Sequence, residues 1–408
     1  MRIVDAAGLA AALAVLPPNP RIVVSGNFAT PHTAVAMLDK GLPEYRLHAL
    51  NAQPGMPDRD GVTLETAFVG PGMRRSPRLA YVPCRLSLVP RLFTKTLPPD
   101  VVLLHTSRVH RDTVSMGMEI NILPAAVEAV KRHGGLVIAQ INQRMPYTYG
   151  DGVLSVSDVD YAIEVDEPLP SPAGMPLDDT SAAIGDLVAR RVPDGATMQM
   201  GIGAVPDAVL HGLMHRRNIK VWSEMFSDGV LALEAAGAMD DEKPITASFM
   251  FGSEELYHWV DRNQRVRMLR TETTNEPALI ARNHAMVSVN TALQVDLFAQ
   301  ANASRINARI HSGFGGQTDF IVGALHSPGG QSIMALRSWH PKANCSTVVP
   351  MVDEPVTSFQ ATAIITEQGS AEIFGRTEKE QAANIIAQAA HPDVRDELYE
   401  EAAALGLT

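Results

Sequence analysis

The sequence predicts an α/β protein of two domains with parallel sheets, and three observations carry the prediction. Short β-rich apolar runs recur along the whole chain, with helical segments between them. Runs such as "VVLLH" (101–105) and "LVIAQI" (136–141) are apolar on both faces, as strands are when helices cover both sides of a parallel sheet. A chain of 408 residues is also long for one hydrophobic core, so two lobes and a cleft are expected.

Taken in order, the N-terminal stretch "MRIVDAAGLAAALAVLPPNP" has Leu9, Leu13 and Leu16 at helical spacing before Pro17, with Asp5 interrupting its start. It reads as a short amphipathic helix rather than a signal peptide. Strands follow at "RIVVSG" (21–26), "VVLLHTS" (101–107), "GLVIAQIN" (135–142), "ATMQMGIG" (196–203), "IKVWSE" (219–224), "MVSVN" (286–290), "IMAL" (333–336) and "TAIITE" (362–367). Between two of them "ILPAAVEAVKRHG" is a helix, and crossovers of this kind are right-handed. "VDEPLPSPAGMPLDDT" (165–180) breaks the pattern with four prolines and no periodicity, after which "SAAIGDLVARRVPDGA" restarts a capped helix. The domain boundary is expected there, giving domains at 1–170 and 181–408. A faint echo, "VVSGNFATPHTAVAMLD" (23–39) against "MQMGIGAVPDAVLHGLM" (198–214), suggests the two share a strand, glycine turn, helix plan.

Composition excludes several functions. The net charge is -11 with no basic block, which argues against a nucleic-acid partner. Two distant cysteines, Cys84 and Cys345, offer neither a disulfide framework nor a zinc site and fit a reducing cytoplasm. No run reaches the ~20 apolar residues of a membrane span. His211 and His215 are spaced i, i+4 on an expected helix, where surface histidines are commoner than metal ligands, so no metal is expected.

Four stretches carry possible chemistry. "GIGAVP" (201–206) sits where a glycine turn and a helix N-terminus meet a phosphate, but it lacks the third glycine of a dinucleotide fingerprint. Asp207 is expected to open the helix, which disfavours NAD and leaves a plain turn open. "HSGFGGQTDF" (311–320) is either a flexible hairpin or a source of backbone N–H donors, at Gly315 and Gly316, for a developing oxyanion. Gln140 and Asn142 lie on one face at a strand end, where neutral amides either orient a substrate carbonyl or satisfy nearby backbone. Glu224 closes "IKVWSE" at the carboxyl end of a strand, the side on which open α/β sheets bind ligands. The residues alone leave it as a general base, a nucleophile or a dipole partner for the helix beginning near Ser227.

With these motifs in view, the chain resembles the acetyl-CoA hydrolase/transferase family, the family I CoA-transferases that include 4-hydroxybutyrate and acetate CoA-transferases. The likeness runs from "SGNFATPHTAVAML" through "AQINQRMPYTYGDG", "GIGAVPDAVL", "SEMFSDGV", "MVSVNTALQVDL", "SGFGGQTDF" and "PGGQSIMAL" to "TEQGSAEIFGRTEKEQA". It implies two open α/β domains of the CoA-transferase (NagB/RpiA-like) type with the active site in the inter-domain cleft. It aligns Glu224 with the glutamate that becomes a covalent glutamyl-CoA thioester, and Gly315 and Gly316 with the oxyanion region. Gly201, Ile202, Gly203, Ala204 and Val205 align with a CoA-contacting loop, and Ser312, Gln140, Asn142 and Gln331 complete the candidate contacts. Glu276 and Glu367 stand as alternative nucleophiles.

The chain departs from the pattern where relatives read Ser-Lys-Gly-Gly-Lys-Ser. Here "SPGGQS" carries Pro328 and Gln331, and Arg376 replaces a lysine further on, so cations for the CoA phosphates must come from elsewhere, with Arg108, Arg144 and Lys342 as candidates. The implied activity is ping-pong transfer of CoA between an acyl-CoA and a small carboxylate. It needs no tightly bound cofactor, only coenzyme A as substrate, and no general base of unusual pKa, because every attacking group is expected to be an anion already. The expected protein is a cytoplasmic homo-oligomer, dimer or tetramer. The alternatives are an acyl-CoA hydrolase using the same glutamate and a non-catalytic CoA- or nucleotide-binding module. "MPYTYGDG" and "SMGMEINI" either line an acyl pocket or belong to the core.

Overall fold

The computed structural model describes residues 1–172 and 177–408. The middle of the proline-rich stretch at which the sequence sets the domain boundary lies outside the described residues. The chain forms two compact units. The first combines Met1–Pro172 with Pro244–Thr274 and Ile310–Gly315, and the second is the rest of the described chain. A single cut near residue 170 would assign those two later segments to the second half; they pack with the first.

The first unit is built on an eight-stranded sheet in the order Arg2–Ile3, Tyr161–Val165, Leu136–Asn142, Val101–Ser107, Arg21–Val24, Tyr45–His48, Val62–Thr66, Leu79–Tyr81. Every neighbouring pair is parallel. All seven residues of Val101–Ser107 are buried, which is why Val101, Val102, Leu103 and Leu104 follow one another without polar alternation. The helix Leu123–His133 begins with Pro124 in its first turn and stops at Gly134, whose φ of 73° is the left-handed conformation that glycine adopts without a Cβ penalty. It buries Leu123, Ala126, Val127 and Val130, and carries Lys131, Arg132 and His133 in its last turn, where cations favour the helix dipole. Ile22, Leu47, Leu64, Leu103, Ile138 and Ile163 form the core of this sheet. Strand order reverses at Arg21–Val24, since the chain moves outward to Leu79–Tyr81 and then returns to the other side at Val101–Ser107. The segment from 244 joins this unit through a second parallel sheet, in which Val266–Met268 pairs with both Ile245–Ala247 and Tyr149–Gly150.

The second unit holds a six-stranded sheet in the order Lys220–Val221, Thr197–Gln199, Met286–Asn290, Gln331–Ala335, Ala363–Thr366, Gly369–Glu372. It is parallel except for the last hairpin. Asp178 caps the helix Asp179–Ala189 by accepting from Ser181 N–H at 3.1 Å. Three details differ from expectation. The run "IKVWSE" is strand only at Lys220–Val221, so Glu224 lies beyond the strand rather than at its last residue. The helix after "GIG" begins at Ala204, with Asp207 inside its first turn, and it ends at Gly212, which leaves His215 off the helix. Among the described residues neither Cys84 nor Cys345 is in a disulfide, and no helix is long and apolar enough to cross a membrane.

Candidate active site

Glu224 sits in a bend that the second unit pins on both sides. Trp222 N–H still bonds Met198 O at 3.1 Å, so the chain follows its neighbour one residue past the strand. Ser223 then diverts it: its buried hydroxyl donates to Met200 O at 3.1 Å and accepts from Met200 N–H at 3.3 Å. Met225 forms an isolated bridge with Met200. The strand propensity of "KVWS" is therefore overridden by one serine that bonds across, and the glutamate side chain is held between two anchored residues. The same contacts tie this bend to the turn that starts at Gly201. The next helix, Asp228–Ala235, has Asp228 in its own first turn, so the dipole role weighed for Glu224 is filled by another carboxylate.

Three residues of the second unit complete the surroundings. Asn275, fully buried, donates from Nδ2 to Glu224 Oε2 at 2.9 Å. A Cβ on Gly316 would lie 2.0 Å from that same oxygen and 2.2 Å from Asn275 Nδ2, so the carboxylate occupies the space that any side chain at 316 would need. Gly316 precedes the helix Gln317–His326, and Asp319 lies buried in its first turn. Burial pushes the Glu224 carboxyl up to about 7, the Asp319 carboxylate adds to the rise, and the Asn275 hydrogen bond opposes it. The expectation that every attacking group is already an anion therefore needs correction: near neutral pH the Glu224 carboxyl is only partly ionised.

The other expected residues are distributed as follows. Gly201 and Gly203, with φ 113° at Gly203, have nothing within 4 Å of an added Cβ, and Ile202 is 42% exposed, so this turn offers open backbone ahead of the helix that Ala204 and Val205 begin. Gly315 belongs to the first unit; its φ is 54° and a Cβ there would come 2.9 Å from the Phe68 ring. Ser312 O accepts from Val69 N–H at 2.7 Å and Gly315 O from Leu86 N–H at 2.9 Å, which makes 311–315 an anchored segment rather than a flexible hairpin. Gln140 and Asn142 are fully buried and engaged inside the first unit. Gln140 accepts from Ala34 N–H, Asn142 donates to Glu167 O and accepts from Arg144 N–H, and both amides meet the His105 ring. Burial pushes the His105 imidazole down to about 4, so this cluster is neutral and structural in character. Gln331 is likewise engaged, accepting from Arg191 Nε and donating to Arg191 O, both at 3.0 Å. Met116, Met118 and Ile120 of "SMGMEINI" are each at most 1% exposed and belong to the core.

Of the alternative nucleophiles, Glu276 is exposed and caps a short helix at Pro277–Ile280. Burial acts to raise the Glu367 carboxyl, yet bonds from Ser338 N–H at 3.0 Å, the Ser338 hydroxyl and Gln368 hold it below its usual value. Arg144 pairs with Asp166 at 2.8 Å, while Lys342 and Arg376 are exposed. Asn275 and Asp319 were not singled out from the sequence. Asn275 stands 51 residues from the carboxylate it bonds, and no local pattern marks that contact.

Residues 62–172 match the acetyl-CoA hydrolase/transferase N-terminal domain and residues 252–402 the acetyl-CoA hydrolase/transferase C-terminal domain. The 4-hydroxybutyrate coenzyme A transferase of Clostridium kluyveri is 38% identical over 349 residues, spanning 82% of this chain and 80% of that protein. Among solved structures, 4-hydroxybutyrate CoA-transferase from Porphyromonas gingivalis is 30% identical with a TM-score of 0.83, covering 99% of this chain and 98% of that one. RipA from Yersinia pestis is 25% identical with a TM-score of 0.92, covering 100% and 98%. The chain belongs to the acetyl-CoA hydrolase/transferase family.

Proposed function

We propose that this protein is a CoA-transferase that exchanges CoA between an acyl-CoA and a small carboxylic acid of the acetate type, with Glu224 as the covalent carrier. The observation that carries the assignment is the Glu224 carboxylate filling the space left by Gly316 and oriented by Asn275. Similarity to the 4-hydroxybutyrate CoA-transferases supports the reaction class.

In the first half-reaction the ionised Glu224 attacks the thioester carbonyl, and the tetrahedral adduct collapses to an acyl-glutamyl anhydride and CoA thiolate. The thiolate then attacks the glutamyl carbonyl, which releases the first acid and leaves a glutamyl-CoA thioester. A second carboxylate attacks that thioester, the thiolate leaves and returns to the new acyl carbonyl, and Glu224 is regenerated as a carboxylate. No proton is consumed once the glutamate is ionised. Each adduct carries an oxyanion, for which the Gly316 N–H and the following helix start are suited donors. Asn275 keeps one carboxyl oxygen fixed while the other attacks. The open backbone at 201–205 is suited to approach by CoA. CoA is a substrate here, no tightly bound cofactor is required, and a cytoplasmic homo-oligomer is the form we expect.

Incubation with acyl-CoA and no acceptor followed by borohydride tests this. The expected result is acyl-CoA-dependent inactivation, with the reduced residue in the peptide "VWSEMFSDG" and protection by added acetate. Label at Glu276 or Glu367 would reject Glu224 as carrier, and acid-independent CoA release at a comparable rate would indicate a hydrolase instead.

A further inference from the structure

Strand order in the six-stranded sheet of the second unit reverses at Thr197–Gln199: the chain goes next to Lys220–Val221 on one side and later to Met286–Asn290 on the other. Open α/β sheets bind ligands in the crevice beyond the carboxyl ends of the strands at such a reversal. Gln199 is the last residue of its strand, and in the parallel pairing it stands opposite Ser288, with Asn290 two residues on. Side chains two apart on a strand point to one face, so Gln199, Ser288 and Asn290 share a face at this end of the sheet.

The three side chains form a directed relay. Asn290 Nδ2 donates to Ser288 Oγ at 2.8 Å, and the Ser288 hydroxyl donates to Gln199 Oε1 at 2.6 Å. Asn290 Nδ2 also reaches Gln199 Oε1, at 3.4 Å. The serine has one proton to give and gives it to Gln199, so the amide oxygen faces Ser288 and Nε2 faces away from it. Gln199 is only 5% exposed, and among the described residues its Nε2 donates to no acceptor. Leaving a buried amide donor open costs free energy, and a donor aimed in this way inside a ligand crevice calls for an acceptor on the ligand. Gln140 is the contrast, because its Nε2 meets His105 and Glu167 within the first unit.

Glu224 belongs to the same end and face of this sheet. Met286, opposite Thr197 and therefore on the face of Gln199, forms one core cluster with Phe320 and Ala324. The helix Gln317–His326 thus covers that face. Its first residue reaches the strand ends, where Gln317 Nε2 donates to Thr291 O at 3.4 Å. Gly316, one residue earlier, leaves the space that Glu224 Oε2 occupies.

We propose that Gln199 binds the acyl oxygen of the substrate, donating from Nε2 to the thioester carbonyl of the acyl-CoA or to a carboxylate oxygen of the acid. This rests on acyl transfer at Glu224 as proposed above. The carbonyl oxygen of the thioester stays on the acyl group when the acid is released, so one donor can serve both substrates. A neutral donor also suits the position, since a cation there would pair with the Glu224 carboxylate and hold its pKa down.

Gln199→Met removes the donor at similar volume. Acyl-CoA carrying a 13C carbonyl, bound to Glu224→Gln enzyme, is expected to show a carbonyl stretch lowered from its solution value in isotope-edited infrared spectra, and the Glu224→Gln/Gln199→Met enzyme to lose that shift. Ser288→Ala in the same background leaves the amide in place but unaimed; it should remove part of the shift, and it supplies the reading if Gln199→Met does not fold. With Glu224 intact, single-turnover kinetics separate the two oxygens. A loss of about tenfold or more in forming the glutamyl-CoA thioester assigns the bond to the acyl-CoA carbonyl, and the same loss in its discharge by acetate assigns it to the acid. A carbonyl band unmoved by both variants, or both half-reactions within about twofold of the parent, would overturn the proposal. A parent that forms no thioester would reject Glu224 as carrier, and the carbonyl band alone would then decide for or against Gln199.

Discussion

Replacing Gly316 by alanine isolates the geometry on which the assignment of Glu224 rests. The backbone at Gly316 has φ -99° and ψ 0°, which alanine adopts without strain, so the substitution acts through its methyl group alone. That methyl would stand 2.0 Å from Glu224 Oε2, and reaching ordinary contact at 3.4 Å requires the carboxylate oxygen to move by about 1.4 Å. Asn275 Nδ2, 2.2 Å from the same point, must move with it. A displacement of ~1 Å at a reacting atom costs on the order of 10²-fold in rate, equivalent to about 2.7 kcal/mol of transition-state stabilisation. The assay is steady-state CoA exchange between an acyl-CoA and acetate, read as kcat/KM, with thermal unfolding measured on the same sample. The expected result is a loss of about 10²-fold with little change in Tm, and Gly316→Val should lose more. A Gly316→Ala enzyme within about threefold of the parent would refute the steric argument, because the carboxylate would then have room that these distances deny it.

The elevated Glu224 carboxyl has two further measurable consequences. kcat/KM for acyl-CoA should fall as pH drops below about 7, since the protonated glutamate cannot attack. Asn275→Ala should move that midpoint upward and Asp319→Asn downward, and displacement of both in the same direction would contradict the causes assigned to the shift. Stability should respond with the opposite sense: between 4.5 and about 7 the unfolded chain has lost the proton that the folded chain keeps, so stability declines as pH rises and the loss is complete above about 7. The full difference amounts to about 3 kcal/mol, and Glu224→Gln should therefore unfold near the parent Tm at pH 4.5 but above it at pH 8; an equal Tm at pH 8 would remove the buried-carboxylate argument.

Much of the fold was legible because burial on both sides of a sheet writes continuous apolar runs. Val101–Ser107 and Met286–Asn290 coincide with the runs that predict them, and the echo between 23–39 and 198–214 is realised as strand, turn and helix in each unit. The site was legible only in part. Glu224 stood out because a charge ends an apolar run, but its bend depends on Ser223 bonding Met200, a contact between distant residues. Gln140 and Asn142 show the reverse failure: polar side chains at a strand end resemble ligands for a substrate, while here they bond a neutral buried histidine. The recruitment of 244–274 and 310–315 into the first unit has no compositional mark, since the strand pairing and backbone bonds that hold those segments join residues far apart in sequence.

The position of Glu224 also bears on why a carboxylate can displace a thiolate at all. An ordinary carboxylate, near 4.5, is a much weaker base than a thiol near 8.5, so attack on a thioester runs uphill and the anhydride formed is prone to return. Moving the glutamate to about 7 raises the basicity of the nucleophile toward that of its leaving group and reduces this mismatch. Desolvation alone would continue that trend until the carboxyl was fully protonated at neutral pH and unable to react. Asn275 opposes it with one hydrogen bond to the ionised form, and Gly316 leaves the carboxylate close to a helix start that also favours the anion. Asp319 in the first turn of that helix offsets part of this gain. The four residues thus set two requirements against each other, a basic nucleophile and an ionised one, and a value near neutral pH is where both are met to a useful degree.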